Sequence, residues 1–206
     1  MTRRQKVYFS RRIYTLRSLL RDFRDILAHS HELRSAMRSQ RISRALAEKI
    51  MLTVTGVNGC RYCSYAHAKT ALASGVSPEE VDLLLSGDIG HVSPKEAPAL
   101  FFAQHYAESG SHPDPGMVQN LVETYGQEKA RDILSYIRMI ILGNLSGNTF
   151  DALLSRLRGR PAEGSSLGSE LATLALLVLG TPLLALGMLV KGTIYTVNFE
   201  KNADAA

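Results

Sequence analysis

Leu46-Ala47-Glu48-Lys49-Ile50-Met51-Leu52-Thr53-Val54-Thr55-Gly56-Val57-Asn58-Gly59-Cys60-Arg61-Tyr62-Cys63-Ser64-Tyr65-Ala66-His67 is the stretch on which the fold of this chain turns. Leu46, Ile50, Val54 and Val57 recur at three and four residues, the spacing that lines one face of an α-helix. Gly56 and the Asn58-Gly59 pair then interrupt the repeat. Asn-Gly is also a hairpin signal, but neither flank alternates as a strand would, so a helix-to-helix junction is expected. From Cys60 an Ala-rich helix should run to near Gly75.

Outward from this pair the punctuation stays helical. Ile13, Leu16, Leu20, Phe23 and Leu27 form the apolar stripe of an amphipathic helix with arginines on its other faces, and a second segment around Leu33 and Met37 leads into the Leu46 helix. Ser77-Pro78-Glu79-Glu80 and Ser93-Pro94-Lys95-Glu96 each combine a Ser cap, a proline at the first helical position and a Glu three residues after the cap. Both predict helix starts. Asp114-Pro115 predicts another, Gly126 a stop, and two further helices are expected over about 127–142 and 148–158. Nothing between residues 11 and 158 alternates like a sheet, so the fold class is all-α.

A chain of 206 residues can bury one full core with an appendage beyond it. Arg160-Pro161-Ala162-Glu163-Gly164-Ser165-Ser166 has linker composition, which divides the chain into a helical domain, 1–162, and a tail, 163–206. In that tail Leu171 to Val190 holds no charge. At about 1.5 Å per residue such a helix matches the hydrocarbon thickness of a bilayer, so residues 171–190 are expected to contact a membrane; a core or oligomer-interface helix is the alternative. Thr173, Gly180 and Gly187, seven apart, lay small side chains along one ridge where another helix could approach.

Charge is divided as unevenly as hydropathy. The first 47 residues hold twelve Lys or Arg against three acids, and the remainder twelve against sixteen. A basic face beside Ile, Leu and Phe fits an anionic lipid surface or a solvated first helix. No nucleic-acid recognition motif accompanies it, so no nucleic-acid partner is expected. Arg156, Arg158 and Arg160 precede the apolar segment while Lys191 and Lys201 follow it beside Glu200, which predicts a domain on the cytoplasmic side. A signal-peptide pattern is lacking, although Met1 to Arg21 is Arg-rich and free of acids, as a mitochondrial presequence would be.

Two cysteines three apart cannot build a multi-bridge framework; they point to redox or metal chemistry. On a helix Cys63 meets Cys60 on one side and His67 on the other, a continuous strip of two thiols and an imidazole. The Asn58-Gly59 break puts Cys60 in the first turn, where unpaired N–H groups and the helix dipole favour a thiolate. Glu48, on the preceding helix, reaches His67 if the two helices pack antiparallel, giving a proton relay. A zinc site of two thiolates, an imidazole and a carboxylate is the rival, but ligands on successive turns of one straight helix do not readily surround an ion, and neither metal nor organic cofactor is expected. His29, His31, His91, His105 and His112 show no ligand spacing and are not placed in the site.

Glu48, eleven intervening residues, then Cys60-x-x-Cys63-x-x-x-His67 resembles the signature of the alkylhydroperoxidase D-like family within the carboxymuconolactone decarboxylase superfamily. The resemblance runs from about residue 15 to residue 158. It implies an all-α helical bundle assembled as a homo-oligomer, a trimer or hexamer, that reduces peroxides or disulfides and is recharged by an external dithiol reductant. By position it implies that Cys63 is the peroxidatic thiol, Cys60 the resolving thiol, and Glu48 with His67 the proton relay. The best-known members carry a histidine immediately before the second cysteine, where this chain has Tyr62. Decarboxylase or lactone chemistry, which needs no dithiol, and a non-catalytic membrane-tethered assembly module are the alternatives.

Overall fold

A computed structural model describes residues 8–203, with side chains through Met188. The described residues form eight α-helices and no strand: α1 (Leu16–Ala28), α2 (Ser30–Ser39), α3 (Arg44–Asn58), α4 (Arg61–Ala73), α5 (Pro78–Ser86), α6 (Ala97–Glu108), α7 (Pro115–Leu157) and α8 (Leu167–Ala203). The expected all-α fold with a C-terminal apolar helix is what the chain adopts. An isolated bridge between Phe9 and Ala162 ties the N-terminal strap to the segment before α8, with Phe9 N–H donating to Pro161 O at 3.0 Å.

Local chemistry sets most of the boundaries. Thr15, Ser43, Ser77 and Asp114 each accept a backbone N–H in the first turn of the helix that follows, satisfying donors the helix cannot. Gly59 closes α3 at φ 68°, a left-handed conformation that a side chain would strain. Gly126 breaks α7 at φ 74° and ψ 162°, as its expected role as a stop requires, and the helix resumes at once.

Four local expectations are corrected. Gly56 does not interrupt α3; a Cβ there would lie 2.7 Å from the Leu84 carbonyl oxygen, so glycine admits the end of α5. Ser93 does not cap a helix: Glu96 is the cap of α6, and its carboxylate is held by Lys49 Nζ at 2.8 Å instead of reaching back to Ser93. The two helices expected over 127–158 are one, because Gly143 and Gly147 sit where α4 packs on α7 and serve close approach. In α1 the buried positions are Leu19 and Ile26, whereas Leu16 and Leu20 are exposed; the helix starts at Leu16 under the Thr15 cap, and its inner face is set by α7 and α8.

α3 is the central helix, packed by α4, α5, α6 and α7. Its Ile50, Leu52 and Val54 are fully buried in one cluster with Leu84, Leu100, Phe102, Ile133, Ile137 and Leu145. α8 packs along α1, α2 and α7, starting where Arg156 makes a two-point salt bridge to buried Glu170 at 2.8 and 2.9 Å. The Thr173, Gly180 and Gly187 ridge does receive a helix, the chain's own α1: a Cβ on Gly180 would lie 2.5 Å from the Phe23 ring, and one on Gly187 3.1 Å from Leu27. Leu177 and Leu184 bury on the same side, while Val178, Leu179, Leu183 and Leu186 stay exposed on the outer face. The segment Leu167–Met188 is long and apolar enough to cross a membrane by length and composition. Lys191, Glu200 and Lys201, and the N-terminal Arg3, Arg4 and Lys6, lie outside the residues whose side chains are described.

Candidate active site

The α3–α4 junction delivers both sulfurs to one face of α7. Gly59 reverses the chain in its left-handed conformation, leaving Cys60 as the extended N-cap of α4 and Cys63 one turn in. The two free thiols share a hydrogen bond, Sγ to Sγ 3.0 Å, with Cys60 buried and Cys63 partly exposed. Beneath them α7 has no side chain at two positions: a Cβ on Gly147 would lie 2.7 Å from Cys60 Sγ, and one on Gly143 3.8 Å from Cys63 Sγ.

A buried amide network holds that junction in register. Asn58 Nδ2 donates to Asn144 Oδ1 at 3.2 Å, Asn144 Nδ2 to Thr55 Oγ1 at 3.0 Å, and Asn148 Nδ2 to the Asn58 and Arg12 carbonyls at 2.8 and 3.1 Å. Buried polar groups must find partners, so this network specifies one docking of α3 on α7. Sequence reasoning missed it. Its signal was the doubled pair Gly143-Asn144 and Gly147-Asn148, four residues apart and hence on one helical face.

Opposite α7, α3 and α4 form the antiparallel pair that the relay requires, and buried Glu48 Oε2 lies 2.8 Å from His67 Nδ1. The carboxylate fixes the orientation of the ring through Nδ1. All four expected residues, Glu48, Cys60, Cys63 and His67, thus belong to one α3–α4 hairpin. Among the described residues no three His, Cys, Asp or Glu side chains converge as metal ligands.

Electrostatics separates the thiols. The hydrogen bond with Cys63 draws Cys60 down to about 6 against the upward push of burial, with smaller help from the Cys63 and Tyr62 backbone N–H groups. Cys63 is pushed up, chiefly by the same hydrogen bond and by burial. At neutral pH the pair therefore holds one proton between two sulfurs, with the negative charge favoured at the helix N-terminus, as the position of Cys60 predicts.

Residues 24–105 match the model of the carboxymuconolactone decarboxylase family. That family takes in the alkylhydroperoxidase D-like proteins and is helical, in accord with the resemblance in the sequence. The matched segment runs from the C-terminal part of α1 through most of α6 and holds all four site residues. α7, with its glycine floor and asparagines, and α8 lie outside it. No curated protein and no solved structure matches the chain.

Proposed function

We propose that the chain is a thiol-dependent oxidoreductase that reduces a peroxide or a disulfide through a Cys60–Cys63 dithiol cycle. The observation that carries this reading is the 3.0 Å approach of two free sulfurs, with an imidazole held by a buried carboxylate one turn along α4 from Cys63. In the peroxide case the shared proton passes to Cys60, and Cys63 thiolate attacks the near peroxide oxygen. The O–O bond breaks, Cys63 becomes a sulfenic acid, and the leaving alkoxide takes a proton through His67 to depart as alcohol. Cys60, deprotonated in turn, displaces hydroxide from the Cys63 sulfur, giving the disulfide and, with that proton, water. An external dithiol reduces the bridge by two exchange steps.

The test is anaerobic thiol titration before and after peroxide, with mass spectrometry of the product. Two thiols lost per chain and an intramolecular bridge support the cycle; both thiols persisting under an excess that oxidises a control dithiol would overturn it.

We propose further that 1–162 is the thiol unit, that it works as a trimer or hexamer on the cytoplasmic side, and that 163–206 attaches it to a membrane. Support comes from the exposed outer stripe of α8 and the family's frequent oligomerisation. Because the inner face of α8 is occupied by Phe23, Leu27 and the α7 surface, attachment along 167–188 presents the side of the helix to lipid rather than a free crossing. Washing membranes with high salt and carbonate tests it: the full chain should remain bound, and a chain cut after Arg160 should be released. A full chain that is soluble without detergent, with a truncation that dissociates an oligomer, would make α8 an assembly helix.

A further inference from the structure

Cys60 has no exposed surface although its neighbour 3.0 Å away is partly open to solvent. Tyr62 lies beside it against the same part of α7. The ring edge lies 3.2 Å, and the Cys60 sulfur 2.7 Å, from the point a Cβ on Gly147 would occupy, so the two side chains converge on the same bare patch of α7. The ring is itself 41% exposed, an outer layer rather than a core residue.

A surface tyrosine would normally be free to turn, and this one is fastened. Its hydroxyl donates to Asp151 Oδ1 at 2.7 Å and accepts from Arg61 Nη2 at 2.8 Å. Arg61 Nη2 also donates to Asp151 Oδ1 at 2.6 Å, and Arg11 Nη1 lies 3.1 Å from Asp151 Oδ2 and donates to the Gly59 carbonyl at 3.0 Å. Phe150 flanks the ring at a centroid distance of 6.3 Å, and the Arg61 guanidinium lies 4.8 Å over its face. Asp151 is buried, and desolvating a carboxylate is costly unless its oxygens are satisfied. Its hydrogen-bond donors are both residues preceding Cys63, and the Arg11 cation of the N-terminal strap pairs with its other oxygen, so that buried charge is spent on holding the turn between the cysteines.

We propose that Tyr62 is a gate over Cys60, latched by Asp151, Arg61 and Arg11, that directs incoming substrate to Cys63. The proposal rests on the dithiol cycle above. Cys60 carries the favoured thiolate, so without a cover it would compete for peroxide and be spent as a sulfenic acid. Shielded, it keeps its electron pair for the Cys63 sulfur, 3.0 Å away, and forms the bridge with loss of water. Tyr62 is therefore a positioning and specificity-determining residue.

The sequence supplies a clean assay. Trypsin cuts after Arg61, placing Cys60 and Cys63 on different peptides, so mass spectrometry reads the iodoacetamide alkylation rate of each thiol in the reduced full chain. In the wild type Cys63 should react at least about tenfold faster than Cys60, in spite of the thiolate preference. Tyr62→Ala should raise the Cys60 rate by about tenfold and leave Cys63 within about twofold, whereas Tyr62→Phe, which keeps the cover and loses the latch, and Asp151→Asn should each raise it by only about threefold. Equal wild-type rates, an unchanged Cys60 rate in Tyr62→Ala, or a parallel rise of both thiols would overturn the gate; if Tyr62→Ala fails to fold, the Tyr62→Phe split decides. Peroxide titration of the wild type is read separately: a working gate with no peroxide-driven thiol loss sinks the proposed cycle, and two-thiol loss with no gate sinks only this inference.

Discussion

Two long helices of this protein each leave a recess where glycines meet a neighbour, and the recesses are filled by opposite chemistry. On α7, Gly143 and Gly147 admit Cys63 and Cys60, and the surround is polar: Asn144, Asn148, Thr55 and Asn58 are linked by hydrogen bonds, and Asp151 anchors the rim. On α8, Gly180 and Gly187 admit Phe23 and Leu27, and the surround is Ile26, Leu33, Leu177 and Leu184. Hydrogen-bonded recesses are specific because an unmade bond is expensive to bury, while apolar recesses are held by shape and area and tolerate adjustment. The α7 recess is built to hold reactive atoms in one geometry, the α8 recess to seat a helix.

Proton handling gives the largest expected separation between the two. Glu48→Gln and His67→Ala should slow peroxide-driven disulfide formation by about a hundredfold without loss of helicity, since general acid–base groups contribute on that order. Stopped-flow thiol oxidation alongside circular dichroism measures both. Rates equal to wild type in both variants would leave a bare dithiol in the α7 recess, no more specialised than the α8 seam.

Adding one methyl group to each recess sharpens the contrast. Gly147→Ala puts a Cβ 2.7 Å from Cys60 Sγ and Gly180→Ala one 2.5 Å from the Phe23 ring, and each should cost about 1–3 kcal/mol by overpacking. Only Gly147→Ala should also slow disulfide formation, by about tenfold, because it displaces a reacting atom rather than a packing one. Equal effects of both variants on oxidation would mean that the dithiol senses global stability and not its own floor. Denaturant melts and oxidation rates on the two proteins decide it.

The smallest effect is a displaced titration. Ultraviolet thiolate absorbance of the reduced chain should rise with a midpoint near 6, the value to which Cys60 is drawn, and amount to one thiolate; the second should not appear in the ordinary thiol range, because Cys63 is pushed up. Lowering pH through 6 protonates Cys60 and should slow disulfide closure, whereas raising it from 7 to 9 should change little. Two thiolates titrating together near the usual thiol value would remove the electrostatic distinction between the sulfurs.

Legibility followed range along the chain. Glu48, Cys60, Cys63 and His67 were readable because a helix brings residues three and four apart onto one face and one turn folds two helices together. Arg11, Asn144, Asn148 and Asp151 were not, although they hold the α3–α4 junction that carries the sulfurs, because their partners lie about 50 to 140 residues away and no local period records a contact across helices. The same limit explains α1: spacing marked an amphipathic helix, but whether Leu19 or Leu20 faces inward depended on where α7 and α8 stand.

From its sequence alone the chain has an all-α fold, the Ser77 and Asp114 helix starts, the Gly126 break, the adjacency of the two thiols and the apolarity of α8, all of which are set by backbone sterics, capping and periodicity within a few residues. Tertiary structure alone decided that α7 runs unbroken beneath the sulfurs, that α1 fills the small-residue ridge of α8, that the Glu96 carboxylate serves Lys49 rather than Ser93, and that Tyr62 is tied to Asp151 of α7. Those outcomes depend on which surfaces meet, and a surface is chosen by burial and hydrogen-bond satisfaction summed over the whole core, which no single stretch of chain contains.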